Sequence, residues 1–73
     1  MTQEDLQKLI GRNIRIIRER KGMSAQELAS TCNFEKSNMS RLESGKTNPT
    51  IATLYKISQA LEVPLEEIIA IKV

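Results

Sequence analysis

Residues 22–46 read GMSAQELASTCNFEKSNMSRLESGK, and the spacing inside this stretch decides the fold. Ser24 with Glu27 three residues on is a capping box: the hydroxyl can take the third backbone N–H while the carboxylate reaches back to the cap. Met23, just ahead, can staple onto Leu28. Leu28, Ala29 and Cys32 then give one apolar face to a short helix ending near Cys32. Asn33 follows, a non-glycine residue that tolerates left-handed geometry. A second short helix is predicted from about Glu35 to Ser44, with Gly45 as its C-terminal cap. Its apolar residues are Met39 and Leu42, with Phe34 just before it, which is enough to dock it and no more. Lys36, Ser37, Ser40 and Arg41 form an outward face able to hydrogen-bond base edges or phosphates. Two short helices joined by a turn are either a DNA-reading unit or plain packing. The polar face favours the first, as do the free N–H groups at both helix starts, which suit phosphates.

Working outward, Leu6, Leu9, Ile10, Ile14 and Ile17 recur at helical spacing before this stretch. They predict a first helix from about Thr2 to Arg20, capped by Thr2 with Asp5 and ended at Gly22, which can turn left-handed. Ile16 falls off the apolar stripe and is expected to be exposed. After the stretch, residues 46–49 (KTNP) read as a loop. Thr50 can cap a fourth helix with Ile51, Leu54, Ile57, Ser58 and Leu61 on its buried side. Pro64, with Glu66 and Glu67 near the positive helix end, starts a fifth. Repeats, low-complexity tracts and strand patterns are absent from the sequence. The expectation is an all-α fold, five short helices around one core, forming a single domain over residues 1–73.

Composition narrows the function. The chain has 73 residues, one cysteine and no histidine. An internal disulfide is impossible, and a zinc site of nitrogen and sulfur ligands is nearly excluded. Aromatic residues make up 3% of the chain, too few to wall off a dry pocket, so neither an enzyme nor a small-molecule ligand or cofactor is expected. No apolar run approaches the ~20 residues of a membrane span. The polar, acidic start is unlike a secretory signal, so a soluble cytoplasmic protein is expected. The net charge is only +2, but from Lys8 to Lys46 nine basic residues face four acidic ones. That asymmetry suits a polyanion on one side, although a solvated helix face has the same composition.

At this point the chain resembles the phage-repressor and Cro type of helix-turn-helix transcriptional regulators. The resemblance runs without a gap from about Ile10 to Ile69. It is carried by Gly22-Met23-Ser24, Glu27-Leu28-Ala29, Ser40-Arg41-Leu42-Glu43-Ser44-Gly45-Lys46, Asn48-Pro49-Thr50, Leu54-Tyr55-Lys56-Ile57 and Ala60-Leu61-Glu62-Val63. The resemblance implies a lambda-repressor-like fold and a regulator that binds double-stranded DNA. It implies base contacts at Lys36, Ser37 and Arg41, with Glu35 and Ser40 beside them. It implies phosphate contacts at Ser24, Ala25, Ser44, Lys46 and Asn48, and an ion pair between Arg18 and Glu43 that ties the first helix to the third. Three positions depart from the pattern, one of them Asn33 at a turn position the family often fills with Gly. Ala25 stands where the family commonly has Gln, and Glu35 stands where the reading helix commonly opens with Ser or Thr. A carboxylate there would be repelled by phosphate but could accept from cytosine N4.

The chain end is strongly apolar. Ile68, Ile69, Ile71 and Val73 are more than one short chain buries easily, and an exposed apolar patch usually marks an interface. A two-fold homodimer through the fifth helix is expected; the plainer alternative is that two of the four close the core and the others fray. The biological roles that fit this reading are a phage-type repressor, a restriction-modification controller and the antitoxin half of a toxin pair; the rival reading is a protein-interaction module that uses the fold without reading DNA.

Overall fold

The computed structural model describes residues 1–71, so Val73 lies outside the described residues. It contains α1 (Gln3–Arg20), α2 (Ala25–Thr31), α3 (Lys36–Glu43), α4 (Ile51–Leu61) and α5 (Leu65–Ile68), with no strand among the described residues. The all-α expectation holds, helix for helix. Each boundary has a local cause. Thr2 accepts from Asp5 N–H at 3.1 Å and the Asp5 carboxylate accepts from Thr2 N–H at 3.2 Å. Ser24 and Glu27 repeat the exchange at 3.0 Å in both directions. Thr50 Oγ1 accepts from Thr53 N–H at 3.1 Å and starts α4. These bonds satisfy N–H groups that a helix start otherwise leaves without partners.

Four helices end in the same way. The chain turns left-handed at Gly22, Asn33, Gly45 and Glu62. The next N–H reaches back to a carbonyl in the last turn: Met23 to Arg18, Phe34 to Ala29, Lys46 to Arg41 and Val63 to Ser58, at 2.7–3.1 Å. This double closure returns orphan carbonyls to hydrogen bonding and makes each reversal sharp. Short helices can therefore fold back onto one centre.

That centre is built from Ile10, Ile14 and Ile17 of α1, Leu28 and Ala29 of α2, Cys32, Met39 and Leu42 of α3, Leu54, Ile57 and Leu61 of α4, and Ile68. Burial of such side chains contributes roughly 1.5–3 kcal/mol each and is the main force holding the helices together. The buried Ser58 hydroxyl is satisfied by Tyr55 carbonyl at 2.6 Å. Two apolar residues are not where the pattern puts them. Ile51, expected inside, is 77% exposed. It is the first residue of α4, and helical side chains lean toward the N-terminus, so this one projects off the end of the helix. Ile68, expected at a dimer interface, is 0% exposed within the chain's own core. Ile16 is exposed as the spacing requires. Behind Ile68, Asn13 donates through Nδ2 to the carbonyls of Ile68 at 2.9 Å and Ala70 at 3.0 Å, fastening the chain end to α1.

Candidate nucleic-acid interface

α3 has two unlike faces. Met39 and Leu42 point into the core, at 0% and 7% exposure. Glu43 follows them and meets Arg18 in a two-pronged contact: Nε donates to Oε2 at 2.7 Å and Nη2 to Oε1 at 3.0 Å. Arg18 spends its third group, Nη1, on Met23 carbonyl at 2.8 Å. The Glu43 hydrogen bonds raise the Arg18 pKa above its ordinary value against the opposing effect of burial, so the guanidinium stays charged. A paired, hydrogen-bonded charge is the form in which ions are tolerated inside a fold.

The last turn of α3 lies directly on α1. A methyl group at Gly11 would come within 2.5 Å of Leu42 carbonyl oxygen and 2.6 Å of Glu43 carbonyl oxygen. Only a residue without Cβ lets the two backbones approach this closely. One turn on, Gly45 is left-handed, and a Cβ there would sit 2.6 Å from Lys8 Cα. Gln7 Nε2 donates to Gly45 carbonyl at 3.3 Å. Gln7, Gly11 and Arg18 are four and seven residues apart, so they share one side of α1. That side holds the end of α3 at its backbone, at its carboxylate and at its closing turn.

The other face is free. Glu35, Lys36, Ser37, Ser40 and Arg41 are all exposed. Lys36 with Ser40, and Ser37 with Arg41, stand one helical turn apart and so form a continuous polar surface. Glu35 is the N-cap of α3 rather than its first residue and makes no side-chain cap bond. Ser44 is the C-cap; its hydroxyl donates to Ser40 carbonyl at 2.8 Å. Lys46 and Asn48 are exposed in the loop that follows. Ser24 and Ala25 lie at the start of α2, which packs on α3. The Ser24 N–H holds the Glu27 carboxylate pKa below its usual value. The residues read from sequence therefore occupy α3, the loop after it and the start of α2. Of the chain-end group, Ile69 and Ile71 are 41% and 51% exposed.

Sequence reasoning missed the supports. Gln7 and Asn13 look like any polar helix residue. Gly11 did carry a signal, because a glycine inside a long amphipathic helix weakens it without a packing reason. Lys56 over the Phe34 ring, 5.3 Å from its centroid, had none. Among the described residues, no group of His, Cys, Asp or Glu could hold a metal ion, and no helix is long and apolar enough to cross a membrane.

Comparison with known proteins agrees with this geometry. The helix-turn-helix family model matches residues 14–68. A transcriptional regulator of Sinorhizobium fredii, y4dJ, is 38% identical over 65 residues, covering 89% of this chain and 84% of the relative. The regulator SlrR of Bacillus subtilis is 46% identical over 61 residues, covering 82% of this chain and 40% of the relative. This chain thus spans most of one relative and about two fifths of the other. Among solved structures, the restriction-modification controller protein C.AhdI from Aeromonas hydrophila superposes with a TM-score of 0.81 at 30% identity. It covers 88% of this chain and 96% of its own. The chain belongs to the helix-turn-helix family of DNA-binding transcriptional regulators, in its phage-repressor and Cro type.

Proposed function

We propose that this regulator reads a near-palindromic operator as a homodimer, with α3 lying in the major groove. The observation that carries the reading is the division of α3. Its inward side is fully engaged by α1 and the core, while its polar side faces outward with no protein partner among the described residues. In this reading Arg41 makes two hydrogen bonds to a guanine edge, and Lys36 makes a looser one. Ser37 and Ser40 adapt to several bases, and Glu35 accepts from a cytosine. Ser24, Lys46 and Asn48 hold phosphates, and Ser44 joins them by turning its hydroxyl proton away from the Ser40 carbonyl. Ala25 contributes only its backbone N–H at the start of α2. The fold acts without catalytic chemistry, as a positioned surface.

The dimer forms at the chain end through Ile69 and Ile71. Ile68 is spent on the core and takes no part. Two-fold pairing there would set the two reading helices one DNA turn apart, ~34 Å. The likeness to a restriction-modification controller, over most of both chains, favours one biological role over the others, control of such a system.

Selection of bound duplexes from a random pool, followed by a salt series, tests the reading. Arg41→Ala is expected to cost ~1–3 kcal/mol on the selected duplex and to relax preference at one base position. Lys46→Ala should weaken all duplexes and reduce the salt slope by about 1. If Arg41→Ala and Lys36→Ala both leave affinity unchanged, α3 does not read DNA. Light scattering of the Ile69→Ser, Ile71→Ser double variant reports the dimer.

A further inference from the structure

From α4, Lys56 reaches the turn between α2 and α3. Lys56 holds its Nζ 5.3 Å from the centroid of the Phe34 ring, within the range at which an aromatic face attracts a cation. Its own carbonyl lies 4.0 Å from Cys32 Sγ, at the long end of a thiol hydrogen bond. Cys32 and Phe34 flank Asn33, the left-handed residue (φ 61°) that swings the chain from α2 into α3. Lys56 thus meets the turn on both sides of its pivot. Phe34 is half-buried against the core, and its N–H donates to Ala29 carbonyl at 2.7 Å. It directly precedes Glu35, which gives α3 no side-chain cap, whereas α1, α2 and α4 each have one. The start of α3 thus has no side-chain cap of its own, and Phe34 is the anchored residue next to it.

We propose that Lys56 is a positioning residue for α3: its ammonium on Phe34 and its carbonyl at Cys32 fix the angle at which the reading helix leaves the turn. Lys56 is exposed and makes no ion pair among the described residues, so its charge is available to the ring. The competing role for an exposed lysine in such a protein is a phosphate contact, and salt separates the two. A lost phosphate contact flattens the dependence of affinity on salt, and a tilted helix does not. The proposal rests on α3 being the reading helix.

The test uses two duplexes of equal length, one selected from a random pool by the wild-type chain and one unrelated. Lys56→Met keeps the stem and removes the charge. It is expected to bind the selected duplex about two- to five-fold more weakly, with the unrelated duplex and the salt slope unchanged. Lys56→Arg, still cationic over the ring, should restore binding. In a Phe34→Leu background, Lys56→Met should have no further effect. In the free protein, the Lys56 Hε resonances should lie upfield and return to ordinary positions in Phe34→Leu. A salt slope shallower by about 1 makes Lys56 a phosphate contact and overturns the proposal. A full loss that persists without the ring also overturns it, and so does an equal loss on both duplexes, which reports less folded protein. Should Arg41→Ala and Lys36→Ala both leave selected binding intact, the reading of α3 fails. That failure is visible before any Lys56 variant is compared, and it removes this proposal with it.

Discussion

Arg18 grips Glu43 across both carboxylate oxygens, at 2.7 and 3.0 Å, with the two side chains only 11% and 9% exposed. Neither charge has enough water around it to stand alone. Glu43→Ala, or Arg18→Met by itself, strands the other and is expected to cost about 3–5 kcal/mol in chemical denaturation. Arg18→Met combined with Glu43→Leu should cost much less than the two added together, because no charge is left behind. Arg18→Lys, which keeps the charge and loses the fork, should fall between. A cost under about 1 kcal/mol for Glu43→Ala would show that the pair is not insulated from solvent.

Two glycines separate conformational strain from collision. Gly22 and Gly45 share the left-handed backbone, at φ 73° and 76°, but a Cβ at Gly22 meets nothing within 4 Å. Gly22→Ala is expected to cost only the strain of a left-handed alanine, about 1–2 kcal/mol. Gly45→Ala carries the same strain plus a clash with the Lys8 backbone, so its midpoint in urea should fall further. Equal midpoints would mean that α1 yields at Lys8.

Glu62 takes the left-handed position at the end of α4 without being glycine, at φ 58° and ψ 44°. No hydrogen bond or ion pair from its side chain offsets that strain among the described residues. Glu62→Gly should therefore stabilise the chain by about 0.5–1 kcal/mol, read as a higher melting temperature. A lower melting temperature would reveal a contribution of the carboxylate that the fold does not display.

Glu27 links the start of α2 to pH. The hydrogen bonds from Ser24, its N–H first, hold the carboxylate pKa below the ordinary value. A group with a depressed folded pKa contributes stability above its unfolded value, and that contribution fades as pH falls through the folded value. The expected outcome is a Glu27 carboxyl resonance that titrates at lower pH than a free glutamate, with fraying of α2 following the same midpoint. Glu27→Gln preserves the box in neutral form and should remove the dependence. A midpoint at or above that of free glutamate would contradict the bond.

Helix starts were legible because capping is written in adjacent residues: Thr2 with Asp5 and Ser24 with Glu27 need no knowledge of the rest of the chain. The free face of α3 was legible for a similar reason, since a short helix with two apolar residues has little else to bury. Ile68 and Ile69 show where this stops. α5 has four residues, too few for periodicity to say which of two neighbouring isoleucines turns inward. Ile51 obeyed the periodicity but stood at a helix end, where the pattern no longer reports burial. The long-range supports join residues far apart in sequence, such as Gln7 with Gly45 under the end of α3 and Asn13 with Ala70 at the chain end. Single polar residues carry no mark of so distant a partner.

The seating of α3 has a consequence for retargeting. Met39, Leu42, Glu43, the backbone against Gly11, the closing turn at Gly45 and Phe34 at the start carry the attachment of the helix. Positions 36, 37, 40 and 41 carry none of it. Those four side chains can be randomised together on an unchanged scaffold, and a library built there would yield variants that fold like the parent and differ only in the DNA they choose.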